Sequence, residues 1–148
     1  MLGREGMERV AEYATLNANY LLVRLAAAVS SWFSDAARQP ELALTLRRET
    51  TEFHTNAMDF AKRLLDHGFH APTTYFPLLV PECLLIEPTE TETKEELDAF
   101  VAAMKVILEE ARVNPELSQY FAPSSSGSAF RRCRSSTRAG FAWRPQKI

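Results

Sequence analysis

The sequence predicts an α+β fold in which helices cover a small, mostly antiparallel sheet. Three observations point there: two long stretches with apolar residues at helical spacing, near the two ends of the ordered pattern; two short apolar runs of strand length between them; and prolines that stop any helix from joining those runs. From Glu5 to about Ala28, Met7, Val10, Ala11, Ala14, Ala18, Leu21, Leu22 and Leu25 recur every three or four residues, which predicts a long amphipathic helix. Tyr13, Leu16, Asn17 and Tyr20 form a second, more polar stripe beside the first. A helix with two such stripes is expected to be contacted from two sides.

Residues 30–40 are polar and end in proline, so a connection is expected there. Leu42, Leu44 and Leu46 then alternate with other residues, the period of a strand. Residues 47–54 are polar and read as a loop. Thr55 or Asn56 can cap the next helix, which is expected to bury Met58, Ala61, Leu64 and Leu65 and to end at Gly68.

Residues 68–96 read as a turn, an apolar strand, a proline break, a second apolar strand, a polar loop and a helix start. Pro72 and Pro77 disfavour a helix over the first half, and CLLIE lies between Pro81 and Pro88. Thr93 followed by Glu96 has the spacing of a capping box. Leu97, Phe100, Val101, Met104, Ile107, Leu108 and Ala111 form the strongest helical stripe of the chain, and Asn114-Pro115 ends it.

One core is what a chain of 148 residues can bury. The net charge of −2 is uneven. Arg131, Arg132, Arg134, Arg138, Arg144 and Lys147 contribute +6 after Ala122, where no acid occurs, and leave −8 for the body. Serine and arginine with few apolar residues cannot offset the entropy of ordering, so the tail is expected to be disordered and not to bind nucleic acid. Cys83 and Cys133 stand far apart, without metal-ligand spacing, which fits a reduced compartment. Neither a signal peptide nor an apolar run long enough for a bilayer is legible, so the expected setting is soluble and intracellular, without membrane contact.

GFHAPT within residues 61–73, IEPTETE within 74–100 and the block MLGREGMERVAEYATLNANYLLVRL at 1–25 resemble the carboxy-terminal region of the glycine cleavage system P-protein. That family is the pyridoxal-phosphate-dependent, decarboxylating glycine dehydrogenase. The resemblance implies the small carboxy-terminal domain of a fold-type I pyridoxal-phosphate enzyme. It divides the chain into a bridging helix and connection (1–35), a small α+β domain (36–118) and a basic tail (119–148). The family usually enters its first strand here through His-Glu-Phe. This chain has Pro40-Glu41-Leu42, so that strand is expected to start late or to be damaged at its edge.

A pyridoxal-phosphate enzyme needs a lysine for the Schiff base and a cradle of backbone N–H groups for the phosphate. None of Lys62, Lys94, Lys105 and Lys147 stands in the family's His-Lys-Thr setting, and the five glycines form no phosphate loop. The resemblance therefore implies that the catalytic core lies upstream of Met1, that Met1 matches an internal methionine, and that the chain alone is inactive and holds no cofactor. The partners it implies are the upstream catalytic domain or subunit and, for the whole enzyme, the lipoyl H-protein.

His70 and Thr73 in HAPT, and Glu87, Thr89 and Glu90 in EPTE, are polar residues beside apolar strands. They are the candidates for lining the mouth of a pocket where the small domain closes over cofactor and glycine. The plainer role for the threonines is as turn hydroxyls, and for Glu90 and Glu92 as acids near a helix N-terminus. His54 and His67 have no partner at metal-ligand spacing. The alternative function is a non-enzymatic α+β module that binds a partner through its acidic face or basic tail.

Overall fold

In a computed structural model, residues 2–27 and 39–114 are described. Helix α1 spans Gly3–Ala26, strand β1 Leu42–Thr45, α2 Arg47–Phe53, α3 Ala57–Asp66, β2 Thr73–Thr74, β3 Cys83–Ile86 and α4 Lys94–Val113. The expected connection at 30–40 lies largely outside the described residues, and the basic tail lies outside them altogether.

The sheet has the order β1-β3-β2, and both pairings are antiparallel. Leu42 faces Ile86 and Leu44 faces Leu84, so the alternating leucines of β1 meet the apolar residues of β3 on one face. Leu46 continues the ladder by donating its N–H to the Glu82 carbonyl at 2.9 Å. The strand therefore starts at Leu42 and is intact in spite of Pro40.

Leu42, Leu44, Leu46, Leu84 and Ile86 join Phe60, Leu64, Leu97, Val101, Met104 and Ile107 in one core. Phe60 is 1% exposed and Met104 and Leu64 are fully buried. Arg63 of α3 clamps α4 outside this core. Its Nε and Nη2 donate to the two carboxylate oxygens of Glu110 at 2.7 and 2.9 Å, and Nη1 reaches Asp66 at 3.1 Å.

Two helix starts follow from local chemistry. Asn56, one of the two caps expected for α3, accepts from the Asp59 N–H, and Asp59 returns the bond to the Asn56 N–H. Thr93 and Glu96 do the same for α4, as their spacing predicts. Gly68, at φ +85°, closes α3: its N–H donates to Leu65 and that of Phe69 to Leu64, the paired pattern of a left-handed helix stop.

Three expectations are corrected. Residues 47–54 are not a loop, because residues 47–53 form the short helix α2, which ends at His54 in the left-handed region. The α3 face is turned: Ala57, Phe60, Ala61 and Leu64 are buried, whereas Met58 and Leu65 are exposed. The run expected as the first apolar strand of the central stretch shrinks to Thr73–Thr74, and Phe76, Leu78 and Leu79 lie on an exposed turn.

Helix α1 is buried only at Ala18, Leu21 and Leu25. Met7, Tyr13 and Leu16 are more than half exposed, so its first half has no core to pack on among the described residues. Amides in residues 3–14 of the chain are accordingly expected to exchange with solvent much faster than those in 18–25. Hydrogen-exchange mass spectrometry reads this directly.

Candidate functional site

A cleft of about 440 Å³ opens where the end of β3, the segment after α3, and the start of α4 converge. Its apolar walls include Leu21, Phe69, Leu85, Leu97 and Phe100. Phe69 and Phe100 meet edge to face, with ring centroids 5.4 Å apart and an interplanar angle of 88°. The polar part of the lining is His70, Thr73, Glu87, Thr89, Glu92 and Glu96.

Four of the five residues singled out in the sequence therefore share one cleft. Glu90 is not among its lining residues. His70 holds its Nδ1 2.9 Å from the Ala71 carbonyl oxygen, which can only accept, so the Nδ1–H donates there. The Thr89 hydroxyl lies 2.8 Å from that of Thr91, so it takes part in a local turn and does not cap α4; that cap is Thr93.

The loop between β3 and α4 is held from across the molecule. Asn17 of α1 donates from Nδ2 to the carbonyl of Thr89 at 2.8 Å and to that of Glu92 at 3.2 Å. Three residues further along α1, the Tyr20 hydroxyl donates to Asp98 Oδ1 at 2.5 Å, and Lys94 Nζ reaches Asp98 Oδ2 at 2.7 Å. Arg24 adds a contact to Asp98 at 3.3 Å. Asp98 is accordingly held below the ordinary carboxylate range, first by Lys94 and then by the Tyr20 hydroxyl.

The sequence reading missed Asn17, Glu92 and Glu96 as parts of this site. Asn17 was visible only as a polar residue in a helical stripe, and its partners lie 72 and 75 positions away. Glu96 was legible as a cap, and the cap position is what brings it to the cleft. Its carboxyl is held low by the Thr93 backbone N–H and then by the Thr93 hydroxyl.

With Glu87, Glu92 and Glu96 in its lining and, among the described residues, no lysine or arginine there, the cleft suits a cationic or hydrogen-bond-donating group better than an anion. It does not fit pyridoxal phosphate on its own. Lys62 and Lys105 are on α3 and α4 outside the lining, and Lys94 is kept charged chiefly by its bond to Asp98, whereas a Schiff-base lysine must give up its proton. Among the described residues no group of three or more His, Cys, Asp or Glu side chains could hold a metal ion, and no helix is long and apolar enough to cross a membrane.

Residues 10–120 match the family model described as glycine dehydrogenase, C-terminal domain. The chain belongs to the glycine dehydrogenase C-terminal domain family. Relatives are named probable glycine dehydrogenase (decarboxylating) subunit 2. Those of Legionella pneumophila strain Philadelphia 1 and of Thiobacillus denitrificans are each 61% identical over 118 residues, 79% of this chain and 24% of the relative. That of Thioalkalivibrio sulfidiphilus is 52% identical over 146 residues, 98% of this chain and 29% of the relative. The chain thus spans about a quarter of the length of these relatives. All lining residues of the cleft fall inside the segment that matches the glycine dehydrogenase C-terminal domain.

Proposed function

We propose that the chain serves as the carboxy-terminal domain of a decarboxylating glycine dehydrogenase, a soluble intracellular enzyme with the fold-type I architecture of pyridoxal-phosphate enzymes. The whole enzyme decarboxylates glycine on pyridoxal phosphate and passes the aminomethyl group to the lipoyl arm of H-protein. In this reading residues 1–35 bridge to the catalytic part, 36–118 form the small domain, and 119–148 are a tail.

The observation that carries the proposal is the family match over residues 10–120, combined with a cleft in whose lining no lysine stands among the described residues. The domain supplies walls and polar groups, and the cofactor lysine comes from the catalytic part. His70, Thr73, Glu87 and Thr89 stand at the mouth that faces that part, with Glu90 next to them in the same loop. Alone, the chain is inactive. Incubation with pyridoxal phosphate, borohydride reduction and digestion should yield scattered trace adducts; stoichiometric labelling of one lysine would contradict the reading.

Thr89 gives a finer test. Since Thr93 caps α4, Thr89→Ala in the whole enzyme is expected to leave the melting temperature nearly unchanged. Glycine–bicarbonate exchange should fall about tenfold, the rate equivalent of one lost hydrogen bond at the reacting centre. Unaltered exchange kinetics would remove Thr89 from the site.

A further inference from the structure

Between β2 and β3 the chain makes a turn whose tip presents Leu78 at 87% and Leu79 at 93% exposure, with Phe76 at 55% beside them. The turn is braced on every side. Tyr75 donates its N–H to the Cys83 carbonyl at 2.8 Å and Val80 donates to Pro77 at 3.0 Å. The Thr45 hydroxyl donates to the Pro81 carbonyl at 2.7 Å, and a Glu82 carboxylate oxygen accepts from the Ala57 N–H at 2.8 Å. Val80 is buried at 3%. A turn that anchors its base while holding two adjacent leucines in water is shaped for a contact outside the described residues.

The chemistry beside the tip narrows the partner. A broad hollow next to it is bordered by Leu79, Val80 and Pro81 and by the charged residues Arg47, Arg48 and Glu52, so its charge is positive on balance. Both arginines are exposed, and neither makes an ion pair among the described residues. The complementary surface is an apolar recess for the leucines with carboxylates at its edge for the guanidinium groups. The relatives are about four times the length of the matched segment, so in them most of the polypeptide lies outside the part that this chain matches. The tip lies within the segment that is matched.

We propose that Leu78 and Leu79, flanked by Arg47 and Arg48, are the anchor by which this domain docks on the catalytic part of glycine dehydrogenase, in an apolar recess rimmed by acids. The inference rests on the function proposed above and adds the surface that joins the two parts. It places the docking contact on a different part of the domain from the cleft, since none of these four residues lines it.

The test compares the 148-residue chain with full-length subunit 2 proteins from Thiobacillus denitrificans and Thioalkalivibrio sulfidiphilus, in each of which this chain's residues 10–120 replace the matched segment. Hydroxyl-radical footprinting reads the side chains of Tyr75, Phe76, Leu78 and Leu79, on recipients that retain glycine–bicarbonate exchange or, failing that, a single cooperative unfolding transition. All four are expected to react severalfold more slowly in the full-length proteins. In the isolated chain Leu78→Ser/Leu79→Ser should leave the unfolding midpoint unchanged, because the two side chains already face water. In the full-length proteins that variant, and separately Arg47→Glu/Arg48→Glu, should restore the reactivity of Tyr75 and Phe76 to that of the isolated chain. Equal reactivity at the tip in both settings would overturn the proposal. So would protection that grows with the concentration of the isolated chain, which would assign the tip to a second copy. Footprint and catalysis fail independently: tip protection without any need for this domain in exchange would sink the proposed function and leave the docking surface standing.

Discussion

Phe60→Ala is expected to destabilise the chain by about 3–5 kcal/mol, the scale for emptying a buried aromatic site. Phe60 is 1% exposed and belongs to the core that joins α3 and α4 to the sheet. A loss of that size is a large fraction of the stability of an ordinary small domain, so part of the population would be unfolded at ambient temperature. Urea titration followed by circular dichroism measures it. Met58→Ala, one turn-face away and 37% exposed, is the control, with a much smaller cost. Equal costs at the two sites would show that the α3 face has been assigned wrongly.

Arg63→Ala should cost about 2 kcal/mol, since it removes charge-assisted bonds to Glu110 that are only partly screened by solvent. Arg63 is 21% exposed and Glu110 34%. The same pair sets an acid limit. Glu110 is held below its ordinary value chiefly by the hydrogen bond from Arg63, so its folded pKa lies under its unfolded one. The stabilisation is thus fully present above the usual carboxylate range and disappears as pH falls through the depressed value. Asp98 and Glu96 are shifted in the same direction and add to the loss. In Arg63→Ala the unfolding midpoint should depend less on pH below 4.5, the ordinary value for Glu110. A pH series of denaturant titrations on both proteins would show an unchanged dependence if the clamp is electrostatically idle.

What could be read from the residues was what local chemistry decides. The stripe of α4 emerges because seven of its apolar residues keep helical spacing over four turns, and Thr93, Asn56 and Gly68 mark helix ends by interactions within a few residues of themselves. Helix α2 was hidden because RRETTEF is short and polar, and buries only Glu49. Its helical state depends on tertiary neighbours that periodicity does not see. On α3 Met58 and Leu65 fit helical spacing with Ala61 and Leu64 as well as Ala57 and Phe60 do, and only the fold shows that 57, 60, 61 and 64 complete the buried face. The six residues from Tyr75 to Val80 contain apolar side chains suited to a strand, and only the fold reveals that most of them point into water.

The cleft was half legible for the same reason. HAPT and EPTE flank strands that pair with each other, Thr73 against Leu85, so motifs separated by a dozen residues arrive together. The bonds from Asn17 join α1 to the loop across more than 70 positions, and nothing in the neighbourhood of Asn17 announces them. Membership of the glycine dehydrogenase C-terminal domain family was legible from the motifs because they are long and appear in order.

The strand order β1-β3-β2 has a consequence for solubility. Within the described residues, the outer strands are β1 and β2, while β3, with all four residues buried, is enclosed between them. Strand β2 has two residues, too few to nucleate a stack of neighbouring molecules. Strand β1 is entered through Pro40, which has no N–H to offer an incoming chain, and Glu41 adds a charge at the same end. The proline that first looked like damage to this sheet is placed to deter its growth into an intermolecular ribbon at the entry of β1, while the apolar run CLLI is already paired on both sides, by β1 and by β2.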